Sequence, residues 1–130
     1  MKLLIIDDNP EFRLLIGTQL RSRNITVFGA ADIIQAISTA REKRPDVILL
    51  DIELPGGDGF LVLQRLKANK WLSAIPVIIV TARDLKGVEE KALQTGAVAS
   101  LHKPVDIDNL MTVIEQALNT SHQTGGPQPI

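Results

Sequence analysis

Three stretches of this chain are apolar without interruption: Leu3–Ile6, Val47–Leu50 and Val77–Val80. A strand with one wet face alternates apolar and polar residues. A short, unbroken run bounded by turn residues belongs to a strand covered on both faces. Val98–Leu101, interrupted by Ser100, is a fourth apolar run, and Ile25-Thr26-Val27-Phe28 a weaker fifth candidate. Between them lie segments with helical spacing. Phe12, Leu15, Ile16 and Leu20 share one face, with Asn9 placed to cap and Pro10 at the first helical position. Ile33, Ala36, Ile37 and Ala40 repeat the pattern up to Arg44-Pro45. Phe60, Leu63 and Leu66 form a third stripe, Val88, Ala92 and Leu93 a fourth that stops at Gly96, and Leu110, Val113, Ile114 and Ala117 a fifth. Strand then helix, five times over, means a parallel sheet between two helical layers, because parallel neighbours need crossovers. Right-handed crossovers bring the loops that follow the strands to one common edge, where open α/β sheets bind ligands.

The 130 residues suit one domain. With 45% hydrophobic residues but only 3% aromatics, its core must be aliphatic. The absence of cysteine excludes disulfides, thiolate zinc sites, iron–sulfur clusters and cysteine nucleophiles. A formal net charge of −1 gives no whole-chain attraction to nucleic acid or anionic lipid. Asp7 and Asp8 cut short the only stretch resembling a signal peptide, and no run approaches the ~18 apolar residues of a membrane span. A cytoplasmic protein is expected, with a folded domain over 1–119. The polar, Gly/Pro-rich segment 120–130 is expected to be a disordered tail or linker stub.

The residues just after the strands carry the chemistry. They are Asp7 and Asp8 after the first, Asp51 after the third, Thr81 after the fourth and Lys103 after the fifth. Three crowded carboxylates repel one another unless a cation sits among them. All-oxygen donors without cysteine or a histidine cluster favour a hard ion such as Mg²⁺. A lysine and a threonine hydroxyl opposite the metal would hold the remaining oxygens of a transferring phosphoryl group, a reaction that needs positioning and charge neutralisation above all. Asp51 is the expected acceptor, since it ends the central buried run, with Asp8 and Asp7 serving the metal. Gly56-Gly57 reads as a turn device and Asp58 as a helix cap. A cis Lys103-Pro104 bond would fix the lysine's direction.

These residues resemble the receiver domain of two-component response regulators. The acidic pair in Ile6-Asp7-Asp8-Asn9, the stretch Leu50-Asp51-Ile52-Glu53-Leu54-Pro55-Gly56-Gly57-Asp58-Gly59, Val80-Thr81-Ala82 and Lys103-Pro104 carry the likeness, each after a strand and in order. The resemblance implies a flavodoxin-like (βα)5 doubly wound sheet of strand order 2-1-3-4-5. It implies phosphorylation of Asp51 by a histidine kinase or phosphotransfer protein, with Mg²⁺ bound by Asp8, Asp51 and the backbone carbonyl of Glu53. Asp7 would hold a metal-bound water, Thr81 would hydrogen-bond the phosphoryl group and Lys103 would pair with it. Such a domain is a signalling module rather than an enzyme acting on outside substrates: it catalyses only its own phosphoryl acceptance and dephosphorylation. Its output is a contact with a downstream protein or fused domain, and the resemblance admits a phosphorylation-dependent homodimer through Val98 and Met111.

One position departs from the pattern. Receivers carry an aromatic residue three places before the lysine, and here that place is Ser100. Ala82, Arg83 and Glu53 are expected to tune the switch and the lifetime of the phosphoaspartate. Two other readings stand beside this one: a phosphorylation-independent, receiver-like binding module, permitted by Ser100, and a small Mg²⁺-dependent aspartyl phosphatase. The second acid of Asp51-Ile52-Glu53 is not Asp, and the chain lacks the length to enclose a substrate. A flavodoxin-like cofactor binder is disfavoured because Asp7 and Asp8 would repel a phosphate. Arg41-Glu42-Lys43-Arg44 reads as a solvated helix end, Trp71 as a residue packed or half exposed at the end of the third helix, and His102 as facing outward.

Overall fold

A computed structural model describes the backbone of residues 1–54 and 57–125, with side chains for residues 1–54 and 59–119. Five strands, β1 (Lys2–Ile6), β2 (Thr26–Ala30), β3 (Val47–Leu50), β4 (Val77–Thr81) and β5 (Ala99–His102), form one parallel sheet in the order β2-β1-β3-β4-β5. This is the expected order, with β3 at the centre. The helices are α1 (Pro10–Arg21), α2 (Ile33–Lys43), α3 (Gly59–Ala68), α4 (Leu85–Thr95) and α5 (Ile107–Gly125). A two-residue antiparallel ladder joins Glu53–Leu54 to Gly57–Asp58 between β3 and α3. The expected Gly56-Gly57 turn and the side-chain cap by Asp58 lie outside the described residues.

The unbroken apolar runs are explained by a core on each face of the sheet. Successive side chains of a strand point to opposite faces. Leu4, Ile6, Ile48, Leu50 and Ile79 therefore meet Ala36 and Ala40 of α2, Leu63 and Leu66 of α3 and Val88 and Ala92 of α4. Leu3, Ile5, Val47, Leu49, Ile78 and Val80 meet Ile16 and Leu20 of α1 and Leu110, Ile114 and Ala117 of α5. Burying each such Leu or Ile contributes about 1.5–3 kcal/mol, so a charge placed on either face of β1, β3 or β4 would not be tolerated.

The helices depart from the sequence expectation in three places. In α1, Asn9 caps as expected, its side chain accepting from the N–H groups of Glu11 and Phe12. However, Leu15 is 58% exposed and does not belong to the buried stripe. The seam against β2 is instead made by Gly17, where a Cβ would come within 3.1 Å of Arg21 and 3.7 Å of Val27. Residues 15 and 17 lie about 200° apart around a helix, so seating Gly17 turns Leu15 to solvent. In α4, Val88 and Ala92 are buried while Leu93 is exposed; the helix stops at Gly96, whose φ of 108° suits a residue without a side chain. Finally, α5 runs to Gly125 rather than ending near 119. The intervening Asn, Thr, Ser, His and Gln each cost a helix well under about 1 kcal/mol, and no Gly or Pro interrupts before 125. Residues 126–130 lie outside the described residues. Among the described residues, no helix is long and apolar enough to cross a membrane.

Candidate functional site

The sheet's hydrogen-bond ladder runs on past the strand ends and fixes the backbone of the site. Asp7 N–H donates to Ala30 O at 3.0 Å, Asp51 N–H to Ile6 O at 2.9 Å and Lys103 N–H to Thr81 O at 2.8 Å. Acids, hydroxyl and amine are thus carried by backbone tied into the sheet. The buried polar and charged residues among those described are Asp7, Asp51 and Thr81, and all three stand at this one edge. Burial of such groups is costly without partners, and convergence at a single place marks a site rather than a packing accident.

Their partners are specific. Lys103 Nζ donates to Asp7 Oδ2 at 2.7 Å and to Asp51 Oδ2 at 3.0 Å. The other oxygen of each acid accepts a backbone N–H two residues on: Asn9 N–H to Asp7 Oδ1 and Glu53 N–H to Asp51 Oδ1, both at 2.9 Å. The Thr81 hydroxyl donates to Glu53 Oε1 at 3.3 Å and accepts from the Arg83 N–H at 3.2 Å. Burial pushes the Asp7 carboxyl above its ordinary value, with the Asp51 charge adding to it; the Lys103 and Asn9 hydrogen bonds pull the other way and do not overcome it. For Lys103 burial works downward, but the hydrogen bonds and charges of Asp7 and Asp51 outweigh it and the amine is held above its ordinary value.

Asp8 is exposed, and carboxylate oxygens of Asp7, Asp8 and Asp51 lie within 4.8 Å of one another. Lys103 supplies one positive charge against three negative ones, and no cation pairs with Asp8 among the described residues. A hard divalent cation fits this all-oxygen cluster.

The structure brings Asp7, Asp8, Asp51, Glu53, Thr81 and Lys103 together at one rim. Arg83 reaches the site through its backbone N–H, while its side chain is exposed. Ala82 is also exposed, and its carbonyl meets His102 Nε2 at 3.1 Å. Ser100 is half-buried in β5, opposite Ile79. The Lys103–Pro104 bond is cis. Three contributors were not singled out from sequence. The Phe12 ring lies 4.2 Å from Lys103 Nζ, a cation–π contact that steadies the amine. The Arg13 guanidinium donates to the Asp7 carbonyl. Gly59 passes so close beneath the acceptor loop that a Cβ there would lie 2.3 Å from Ile52 Cα and 2.6 Å from the Asp51 carbonyl. The glycine at the start of α3 was the available signal for that close approach.

Residues 3–115 match the family model described as the response regulator receiver domain. The chain belongs to the response regulator receiver family. This receiver domain is 33% identical over 117 residues to sporulation initiation phosphotransferase F of Bacillus subtilis, spanning 90% of this chain and 93% of that protein. It is 34% identical to the KDP operon transcriptional regulatory protein KdpE of Escherichia coli, where 98% of this chain matches only 55% of that protein. It also superposes, at a TM-score of 0.82 and 33% identity, on the receiver domain of a sensor histidine kinase from Pseudomonas aeruginosa PAO1; the match covers 91% of this chain and 97% of the other. That structure has a magnesium ion coordinated in its active-site cleft. Receiver domains are the phosphoacceptor signalling modules of two-component systems and bind Mg²⁺ at an acidic pocket.

Proposed function

We propose that Asp51 is the residue this receiver domain, residues 1–119, phosphorylates, and that the donor is the phosphohistidine of a histidine kinase or phosphotransfer protein. The observation that carries this is the double engagement of Lys103 with Asp7 and Asp51 on the end of the central strand. An Asp51 oxygen attacks phosphorus as the P–N bond breaks, the imidazole leaving with the bonding pair. The attacking oxygen is Oδ2, because Oδ1 is held by the Glu53 N–H. Lys103 vacates Oδ2 and follows the incoming phosphoryl oxygens, and the hydroxyl of Thr81 turns to another. Asp8, Asp51 and the Glu53 carbonyl would hold Mg²⁺, with Asp7 on a coordinated water. When bound, the ion supplies charge neutralisation among the acids and on the transferring group.

Thr81 can turn to the phosphoryl group only by releasing Glu53. That exchange loosens the short ladder in which Glu53 sits, and offers a readout of phosphorylation that does not need an aromatic residue at Ser100. The output is a protein contact, made by this domain alone or through a fused output domain. The β5–α5 face, where Val98 is exposed and Met111 half-buried against the core, is the candidate for a phosphorylation-dependent homodimer. Beryllofluoride with Mg²⁺ tests the reading. It should bind to the wild-type chain and fail to bind to Asp51→Asn. Beryllofluoride ignored by the wild type would favour a phosphorylation-independent module, and sustained turnover of small phosphate esters would favour a phosphatase.

A further inference from the structure

A groove of about 730 Å³ lies between α2 and the end of α3, and no residue of the phosphoacceptor site lines it. Its floor is apolar: Ile33, Ile37 and Leu72 lead out to Ile34, 78% exposed, and Trp71, 65% exposed. Singly exposed apolar residues are ordinary, but two large ones flanking one concavity are not. The rim is cationic. Arg41, Arg44 and Arg65 line it against one acid, Glu42, which already lies 3.6 Å from Lys43. No ion pair engages those arginines among the described residues. The Trp71 ring is steadied in place, with Lys70 Nζ 4.9 Å and Arg44 Cζ 5.8 Å from its centroid, so seating a partner on it costs little side-chain entropy. Trp and Arg are the residue types that dominate binding energy where proteins meet.

We propose that this groove docks an acidic segment of a partner protein, which inserts a large apolar side chain between Ile34 and Trp71 and sets carboxylates against Arg41, Arg44 and Arg65. Charge selects the occupant. A second copy of the chain would bring one arginine rim against another, and like charges across an interface are repelled. Residues 126–130, Gly-Pro-Gln-Pro-Ile, carry no acidic side chain for the arginines. An acidic peptide satisfies both features, since guanidinium forks pair carboxylates bidentately. The surface is separate from the acceptor edge, so docking there leaves Asp51 accessible.

The chain contains a single tryptophan, and its position at the groove makes its emission a direct report of occupancy. The experiment pans a display library of random dodecapeptides on the wild-type chain, with an Ile34→Glu decoy for counter-selection, and titrates the enriched peptides by Trp71 fluorescence. The expected peptides carry Asp or Glu around a Leu, Ile or Phe. They shift the emission to the blue, and bind at least tenfold more weakly to Arg41→Glu/Arg65→Glu, with affinity falling as salt rises. Phosphoacceptance at Asp51 should be unchanged in that variant, whose substituted positions are exposed. Three results would overturn the proposal: no enrichment over the decoy, enriched peptides without acidic residues that bind both forms equally, or self-association of the chain that Ile34→Glu abolishes.

Discussion

Replacing Lys103 with Met removes the charge, and with it the cation–π contact to Phe12, while keeping most of the side chain's aliphatic length, and so isolates the electrostatic design of the site. The amine lies 2.7 Å from Asp7 and 3.0 Å from Asp51. At an effective dielectric near 20, each contact is worth about 5–6 kcal/mol of attraction, most of which desolvation of the three groups takes back. Deleting the cation alone leaves carboxylates with side chains 1% and 6% exposed facing each other; truncations of that kind cost about 3–5 kcal/mol. The Lys103→Met chain should therefore lose about 3 kcal/mol of unfolding free energy at pH 7 in EDTA, measured by urea denaturation with circular dichroism. Two signatures distinguish charge from packing. Saturating Mg²⁺ should restore most of the loss, because a divalent ion replaces the missing cation and binds only the folded chain. The deficit should also shrink as pH falls. Asp7 already has a folded pKa above its unfolded value, so it weighs against the fold at neutral pH, and this weight fades as pH drops through the folded value. Without Lys103 that value rises further, and relief begins at higher pH. In the wild type, Lys103 has the complementary sign: its contribution is full below its ordinary pKa of 10.5 and is lost as pH climbs through the raised folded value. A variant as stable as wild type in EDTA, or a deficit indifferent to both Mg²⁺ and pH, would refute the reasoning.

Glu53→Ala frees the Thr81 hydroxyl from a hydrogen bond worth about 1 kcal/mol, so phosphorylation by acetyl phosphate should accelerate up to about fivefold. Its Mg²⁺ affinity should be retained, because the ligand is the carbonyl; unchanged rates with lost Mg²⁺ binding, read by titration and stopped-flow mixing, would contradict both roles. Gly59→Ala places a methyl against the backbone of Asp51 and Ile52, neither of which can yield as a side chain could. A stability loss of about 1–3 kcal/mol should accompany slower phosphorylation, and a variant matching wild type in both would show that the close approach is not required.

The architecture was legible because β1, β3 and β4 are covered on both faces, and only unbroken apolar runs meet that demand. The site was legible for a related reason: a strand that ends in Asp, Thr or Lys after such a run must place that group at the rim. What escaped depends on how neighbouring elements seat against one another. The rotation of α1 follows from the contact of Gly17 with β2, and the same rotation that turns Leu15 outward leaves Phe12 beside Lys103. The Thr81–Glu53 bond depends on the path of the chain after β3, which periodicity does not encode. Polarity after Leu118 suggested a tail, and the same residues also allow α5 to continue to Gly125, since each costs a helix little and no Gly or Pro intervenes before that position. The groove beside Trp71 is lined by α2, by Arg65 of α3 and by the segment that follows α3, and none of these announces it alone.

The most direct measurement is the site of the covalent label. After incubation with acetyl phosphate and Mg²⁺, borohydride trapping followed by peptide mass spectrometry should place the modification on the peptide containing Asp51, with none on the Asp51→Asn chain. A label on another carboxylate, or a wild-type chain that takes up none, would contradict the account.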